Sequence, residues 1–157
     1  MIKFVEMKPQ FKDILFVSIQ FLLFFLFLFN IKSMNLKLSA FAQLSGSMIF
    51  VFGMIVCFFS ILQLNRNLSP FPTPKRDGKL IQSGLYKYIR HPIYTGIILV
   101  TFGFSIYTAS GFRLLISLLL LILFYFKSLY EEEKLIEFFD SYPEYKKKTG
   151  RFLPKLF

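Results

Sequence analysis

The sequence predicts an all-α integral membrane protein with four apolar helices and an amphipathic C-terminal helix on the cytoplasmic face. Three observations lead there. Of the 157 residues 55% are hydrophobic and 23 are phenylalanine, with a mean hydropathy of +0.56, which is more apolar surface than one soluble core of this size would use. Four apolar stretches approach the roughly 20 residues, about 17 still sufficing, that a helix needs to cross a hydrocarbon core of ~30 Å. The 19 Lys and Arg residues, finally, are spread very unevenly among the segments between those stretches.

In order, the stretches are residues 14–31, 40–64, 93–109 and 114–130. None shows the period of two of a half-buried strand. Asp13 stands at the edge of the first. Ala40-Phe41-Ala42, after a charged start and an apolar run, imitates a signal-peptide cleavage site. The first run exceeds an ordinary signal core, however, and the polar segment 30–39 separates it from that tripeptide, so it is expected to stay as a helix. Cys57 lies in mid-helix among apolar neighbours, where it reads as a small packing residue without a disulfide partner. The last two stretches are short and separated only by Ser110-Gly111-Phe112-Arg113, so they should form a tight antiparallel hairpin that either just spans or lies in thinned bilayer.

Lys3, Lys8 and Lys12 precede the first stretch, six basic residues fall between Arg66 and Arg90, and seven between Lys127 and Lys155, whereas the first loop holds only Lys32 and Lys37 and the third only Arg113. Sixteen of the 19 therefore share one side, which the positive-inside rule makes cytoplasmic together with both termini. The net charge of +10 is accounted for by topology and anionic headgroups, because the basic residues flank membrane segments instead of forming one nucleic-acid-binding face. The chain divides as one membrane domain over 1–157, with an N-terminal two-helix hairpin (1–64), a Pro-rich cytoplasmic loop (65–91) and a motif-bearing C-terminal half (92–157).

The loop carries Pro70, Pro72 and Pro74, which remove backbone donors and hold the chain extended, as either a stiff linker or a lid over a cofactor. It leads to His91, the only histidine, with Arg90 before it, Pro92 after it, and Tyr86, Tyr88 and Tyr94 close by. Pro suits a first helical position and tyrosines favour the membrane boundary, so the cluster reads as an anchored helix start or, because histidine ordinarily titrates near neutrality, as a place for chemistry. Beyond Tyr130, Leu135, Phe138, Phe139 and Tyr142 continue at helical spacing and predict the amphipathic helix. Glu131, Glu132 and Glu133 sit where a helix continues, so they are not partners of a helix N-terminus. They are either a solvated acidic turn paired with Lys146, Lys147 and Lys148, or carboxylates that receive a cationic or polyhydroxylated ligand held against Arg90 and His91.

Other chemistries lack their residues. One Cys and one His cannot assemble a zinc site. Gly-x-Gly-x-x-Gly, the P-loop and Gly-x-Ser-x-Gly patterns are missing. A proton-coupled exporter needs an ionisable group within the membrane, and the first three stretches have no acidic residue in their interiors.

Gly84-x-Tyr86-x-x-x-Arg90-His91-Pro92-x-Tyr94-x-Gly96, then Glu131-Glu132-x-x-Leu135-x-x-x-Phe139-x-x-Tyr142-x-x-Tyr145 and a closing Arg151-x-Leu153-Pro154, resembles the isoprenylcysteine carboxyl methyltransferase and phospholipid methyltransferase superfamily. The resemblance runs from about Ser69 to the C-terminus and includes the Pro-Phe-Pro-Thr-Pro loop. It implies an S-adenosylmethionine-dependent membrane methyltransferase acting on a lipid-like or isoprenylated substrate, with no metal and no nucleic acid. It implies catalytic roles for Arg90, His91 and Glu132, and cofactor contacts for Tyr86, His91, Tyr94, Gly96, Gly103, Glu131, Glu132, Tyr142 and Tyr145. For Arg151 it implies a substrate contact. Two departures bear on the substrate branch: Gly103-Phe104-Ser105 stands where phospholipid N-methyltransferases show Gly-x-Gly, and Phe139-Asp140 where many relatives have Phe-Gly. The resemblance further implies a compact, prokaryotic-type member in a plasma membrane. Phospholipid amine methylation, a nicotinamide-dependent reductase, and a non-catalytic membrane or transport protein on the same scaffold are the alternatives.

Overall fold

A computed structural model of the chain describes residues 10–75 and 78–155. Lys3, Lys8 and Arg76, counted above, lie outside them. Among the described residues the structure is helical, with α1 at Phe11–Phe27, α2 at Ala40–Leu64, α3 at Pro92–Tyr107, α4 at Gly111–Phe138 and α5 at Tyr142–Lys148. A short 3-10 turn at Gly84–Lys87 precedes α3.

Local chemistry explains the helix starts. The Ser39 hydroxyl accepts from the Ala42 N–H and caps α2, and Ser110 does the same for Arg113 at α4. Pro92 opens α3, where its missing N–H costs nothing. Two helices, α2 with 25 residues and α4 with 28, are long and apolar enough to cross a membrane. α3 is a shorter apolar helix of 16 residues, and α1 has 17. All four expected stretches are helical, and by length and composition α2 and α4 are the two that are candidate spans.

The amphipathic helix expected beyond Tyr130 is divided in two. α4 runs unbroken through the three glutamates to Phe138, stops at an extended Phe139, and α5 begins afresh at Tyr142. Pro143 in the first turn of α5 is why: its ring would collide with the carbonyl one turn earlier if α4 continued.

Packing reverses the soluble pattern. Large apolar side chains of α2, among them Phe41, Phe52 and Phe58, are exposed, while Ser60, Thr101, Ser105 and Ser117 are buried. The buried hydroxyls bond to carbonyls one turn back, and Ser105 and Ser117 bridge α3 to α4 at 3.1 Å. The apolar core lies between α1 and α4, around Leu23, Ile116, Leu120, Leu123 and Phe124.

α2 and α3 meet backbone to backbone along two glycine pairs. A Cβ on Gly103 would lie 2.4 Å from the Phe50 nitrogen, and one on Gly96 would lie 2.8 Å from the Cys57 nitrogen. Gly46 and Gly53 answer from α2, with 2.6 Å to Tyr107 N and 2.7 Å to Val100 N. Small residues are what allow membrane helices to approach so closely. Gly103→Val should therefore force the helices apart and cost about 1–3 kcal/mol. Thermal unfolding in mild detergent measures this against Met48→Leu, a change at an exposed α2 position that should stay within about 0.5 kcal/mol.

Candidate active site

The site forms where the entry to α3, the C-terminal end of α4 and the chain after it converge. The segment before α3 is held in shape by Gly84, whose φ of +60° is one that side-chain-bearing residues rarely adopt. The Leu85 N–H donates to Gln63 Oε1 of α2 at 2.8 Å. Residues 149–152 return alongside: Arg90 N donates to Gly150 O, His91 N to Arg151 O, and Gly150 N to Tyr88 O. Thr95 Oγ1 donates to the Phe152 carbonyl at 2.7 Å and fastens the same segment to α3.

Glu132 is the hub of the charges. Its carboxylate, 1% exposed, accepts from Arg90 Nε at 2.9 Å, from Arg151 Nε at 3.1 Å and Nη2 at 3.3 Å, and lies 2.9 Å from Lys146 Nζ. His91 Nε2 is 3.3 Å away. Arg90 also donates through Nη1 to the carbonyls of Lys146 and Thr149. One carboxylate thus gathers three cations and the histidine. Of the alternatives left open for the glutamates, the pairing with Lys146 holds for Glu132, and Glu133 is exposed.

Glu131 has a different environment. It faces a cavity of 370 Å³, which Glu132 does not line. Its Oε2 accepts from the Tyr94 hydroxyl at 2.7 Å and lies 3.8 Å from His91 Nδ1, so the imidazole sits between the two glutamates. The His91 ring stacks on Tyr94, and Tyr94 on Phe124, with centroids 5.3 and 4.6 Å apart. With the imidazole clamped this way, His91 is buried but still reaches the cavity wall.

Arg90, Tyr86, Tyr142 and Tyr145 line the same cavity. Three of the four lining tyrosines have committed hydroxyls: Tyr86 to the Ser60 carbonyl, Tyr145 to the Tyr86 carbonyl and Tyr94 to Glu131. The Tyr142 hydroxyl is buried with no partner among the described residues. Burial, aided by the nearby charges of Glu132 and Glu131, pushes it far above the usual phenol range, and burial holds Tyr145 at about 12. Both hydroxyls therefore keep their protons at neutral pH and can donate.

The Pro-rich loop roofs the cavity. The Pro70 carbonyl accepts from Lys127 Nζ at 2.9 Å, Thr73 Oγ1 donates to the buried Asp13 at 2.7 Å, and Asn67 closes the base of the loop through two bonds to Lys79. Of the two readings, linker or lid, the position is that of a lid, stiffened by its prolines.

Four of the expected site residues are absent from the cavity lining: Glu132, described above, and Gly96, Gly103 and Arg151. Gly96 and Gly103 are spent on the α2 seam and do not line the cavity, because the close approach they permit is to a helix backbone. Arg151 is also absent from the lining; its guanidinium binds Glu132 and lies 5.2 Å from the Tyr125 ring centroid. Sequence reasoning in turn missed Asp13, Gln20, Thr73 and Lys127. The available signal was an isolated polar residue inside an apolar run, Gln20 in α1 and Lys127 in α4.

Residues 41–141 match the phospholipid methyltransferase family, which is more than half of the chain and includes the loop, the entry to α3 and both glutamates. The chain belongs to this family. As a family member it is also similar to the protein-S-isoprenylcysteine O-methyltransferase of Schizosaccharomyces pombe, with 33% identity over 99 residues. That stretch is 60% of this chain and 42% of the relative, so the chain spans less than half the length of the curated protein it matches. Membership together with the apolar helices makes this a membrane protein.

Proposed function

We propose that the cavity binds S-adenosylmethionine and that the protein methylates a lipid-borne acceptor of the carboxyl type at the cytoplasmic face. The carrying observation is a 370 Å³ cavity whose wall brings together Glu131, His91 and Arg90 with Tyr142, whose buried hydroxyl has no partner among the described residues. The volume lies within the usual range for small-molecule sites. The donor set fits the cofactor: Glu131 suits an ammonium or a ribose diol, and Tyr142 suits a ring nitrogen, hydroxyl or carboxylate oxygen. When bound, S-adenosylmethionine supplies a methyl group on a sulfonium, and its transfer to a carboxylate oxygen yields an ester and a neutral thioether with no proton to move.

The chain's own residues contribute placement and dryness. Glu132 holds Arg90 and His91 at the wall without occupying the cavity, so it is a positioning residue. The latched Pro-rich loop covers part of the cavity, and shielding from water strengthens the polar contacts beneath it. The fission-yeast relative supports a carboxylate acceptor. The family match supports a second reading, an amine headgroup, for which Glu131 or His91 would have to accept a proton.

Purified protein should bind S-adenosylmethionine and its demethylated product but not NADPH, and membrane lipid should gain a labelled methyl. Glu131→Gln should weaken cofactor binding about tenfold to a hundredfold, and Tyr142→Phe about threefold to tenfold, with Lys148→Ala, an exposed change, as the control. Tyr142→Phe should leave unliganded stability unchanged or raised, since it removes an unsatisfied buried hydroxyl. NADPH binding, or unaltered cofactor affinity in both variants, would refute this assignment of the cavity.

A further inference from the structure

The amine of Lys127 has no role in the site described so far. The residue is 1% exposed on α4, in a segment with no other charge between Arg113 and Glu131, and it lines the cavity with Gln20, Pro70 and Tyr94. Its Nζ donates to Gln20 Oε1 at 2.7 Å and to the Pro70 carbonyl at 2.9 Å, and lies 5.5 Å from the centroid of the Tyr94 ring. All three partners are neutral. An ammonium has three N–H donors; two are used by the oxygens, and the third has only the face of the Tyr94 ring.

No carboxylate among the described residues makes an ion pair with Lys127. Glu131 and Asp13 stabilise it only through space: Glu131 Oε2 is taken by Tyr94, Asp13 Oδ2 by Thr73 and the Gln10 N–H, and the buried Asp13 Oδ1 has no hydrogen-bond partner among the described residues. With neither carboxylate at ion-pair distance, a cation kept out of water at a cavity wall has room for a direct counter-ion from outside the chain, which would stabilise it more than charges acting through space. Lys127 also stands one turn, roughly 6 Å, before Glu131, towards the apolar part of α4. On the cavity lining Glu131 and Arg90 lie towards Tyr142, Lys75 and Lys79 belong to the loop, and Lys127 is the cation of α4, nearer its apolar part.

We propose that Lys127 is the specificity-determining cation of the acceptor site and receives an oxyanion, carboxylate or phosphate, carried by a membrane-borne acceptor. This rests on the methyltransferase reading and adds the charge that the acceptor must bear. A tail ending in a bare amine would meet a like charge at Lys127; a carboxylate or a phosphate-bearing headgroup would meet its counter-ion.

The test is binding to the purified 157-residue chain in neutral detergent without cofactor. Three probes share a farnesyl thioether tail and end in a carboxylate, a phosphate monoester or a primary amide. The wild type should bind at least one anionic probe about tenfold to a hundredfold more tightly than the amide, and the preferred anion identifies the source. Lys127→Met should bring the probes to one level, and Lys127→Arg should keep the preference for anions. Equal affinities in the wild type, or an undiminished preference in Lys127→Met, would overturn the proposal. So would a Lys127→Met variant that loses S-adenosylmethionine affinity while keeping its preference among the probes, since the lysine would then serve the cofactor. If Lys127→Met does not fold, Lys127→Gln and the wild-type ratio decide. Failure of the wild type to bind S-adenosylmethionine would refute the methyltransferase reading and leave the probe ratios standing on their own.

Discussion

Glu132→Ala should lower the free energy of unfolding by about 3–5 kcal/mol, because it leaves buried cations without their counter-charge. Arg90 is the most affected, with a side chain 8% exposed, a 2.9 Å bond to the lost carboxylate and only backbone carbonyls and a hydroxyl as its other acceptors. Arg151 and Lys146 are more open to solvent and will be less disturbed. Chemical denaturation in mild detergent measures the loss. Lys147→Ala is the comparison: it breaks an exposed pair with Glu144 at 3.5 Å and should cost no more than about 1 kcal/mol. If the two variants lose equally little, solvent already meets these cations and Glu132 is not a hub. Cofactor affinity should fall with Glu132→Ala as well, since His91 and Arg90 lose the group that holds them at the cavity wall.

Arg90→Lys should cost about 1.5–3 kcal/mol and loosen the C-terminal segment while leaving the helices paired. Arg90 faces two ways: Nε towards Glu132, and Nη1 towards the carbonyls of Lys146 and Thr149. A planar guanidinium can bridge these acceptors; a lysine presents one point charge on a different stem and reaches one set or the other. The signature is local. Amide exchange at Gly150, whose N–H donates to the Tyr88 carbonyl, should accelerate, while amides around Leu120 in the α1–α4 core keep their protection. Unchanged protection at Gly150 would mean that the Thr95–Phe152 bond and the backbone pairing hold the segment without Arg90.

Much of this was legible in the sequence because it depends on local pattern. Apolar runs place α1 to α4 to within a few residues at most ends, and Pro92 marks the first residue of α3. The order Arg90-His91-Pro92, then the glutamates, then Tyr142 and Tyr145, identifies the cavity-lining segments before any coordinates, because a family pattern preserves which residues must converge. Where the pattern failed, the reason is directional. Periodicity carries Leu135, Phe138 and Tyr142 through as one helix, but Pro143 in α5 divides it. The pattern Gly96…Gly103 signals close approach without saying to what, and the partner is α2.

The sequence by itself determined the helical class and the membrane-like composition, since hydropathy and short-range spacing act within one segment. Which of two adjacent glutamates faces the cavity was decided only by the tertiary structure. Successive residues on a helix point about 100° apart, so Glu131 and Glu132 are equivalent in sequence and separate only when Arg90, Lys146 and Arg151 arrive on one side and Tyr94 on the other. The same holds for Lys127, one of seven basic residues in the last part of the chain. Only the approach of Gln20 from α1 and Pro70 from the loop turns it into a buried cation at the cavity wall.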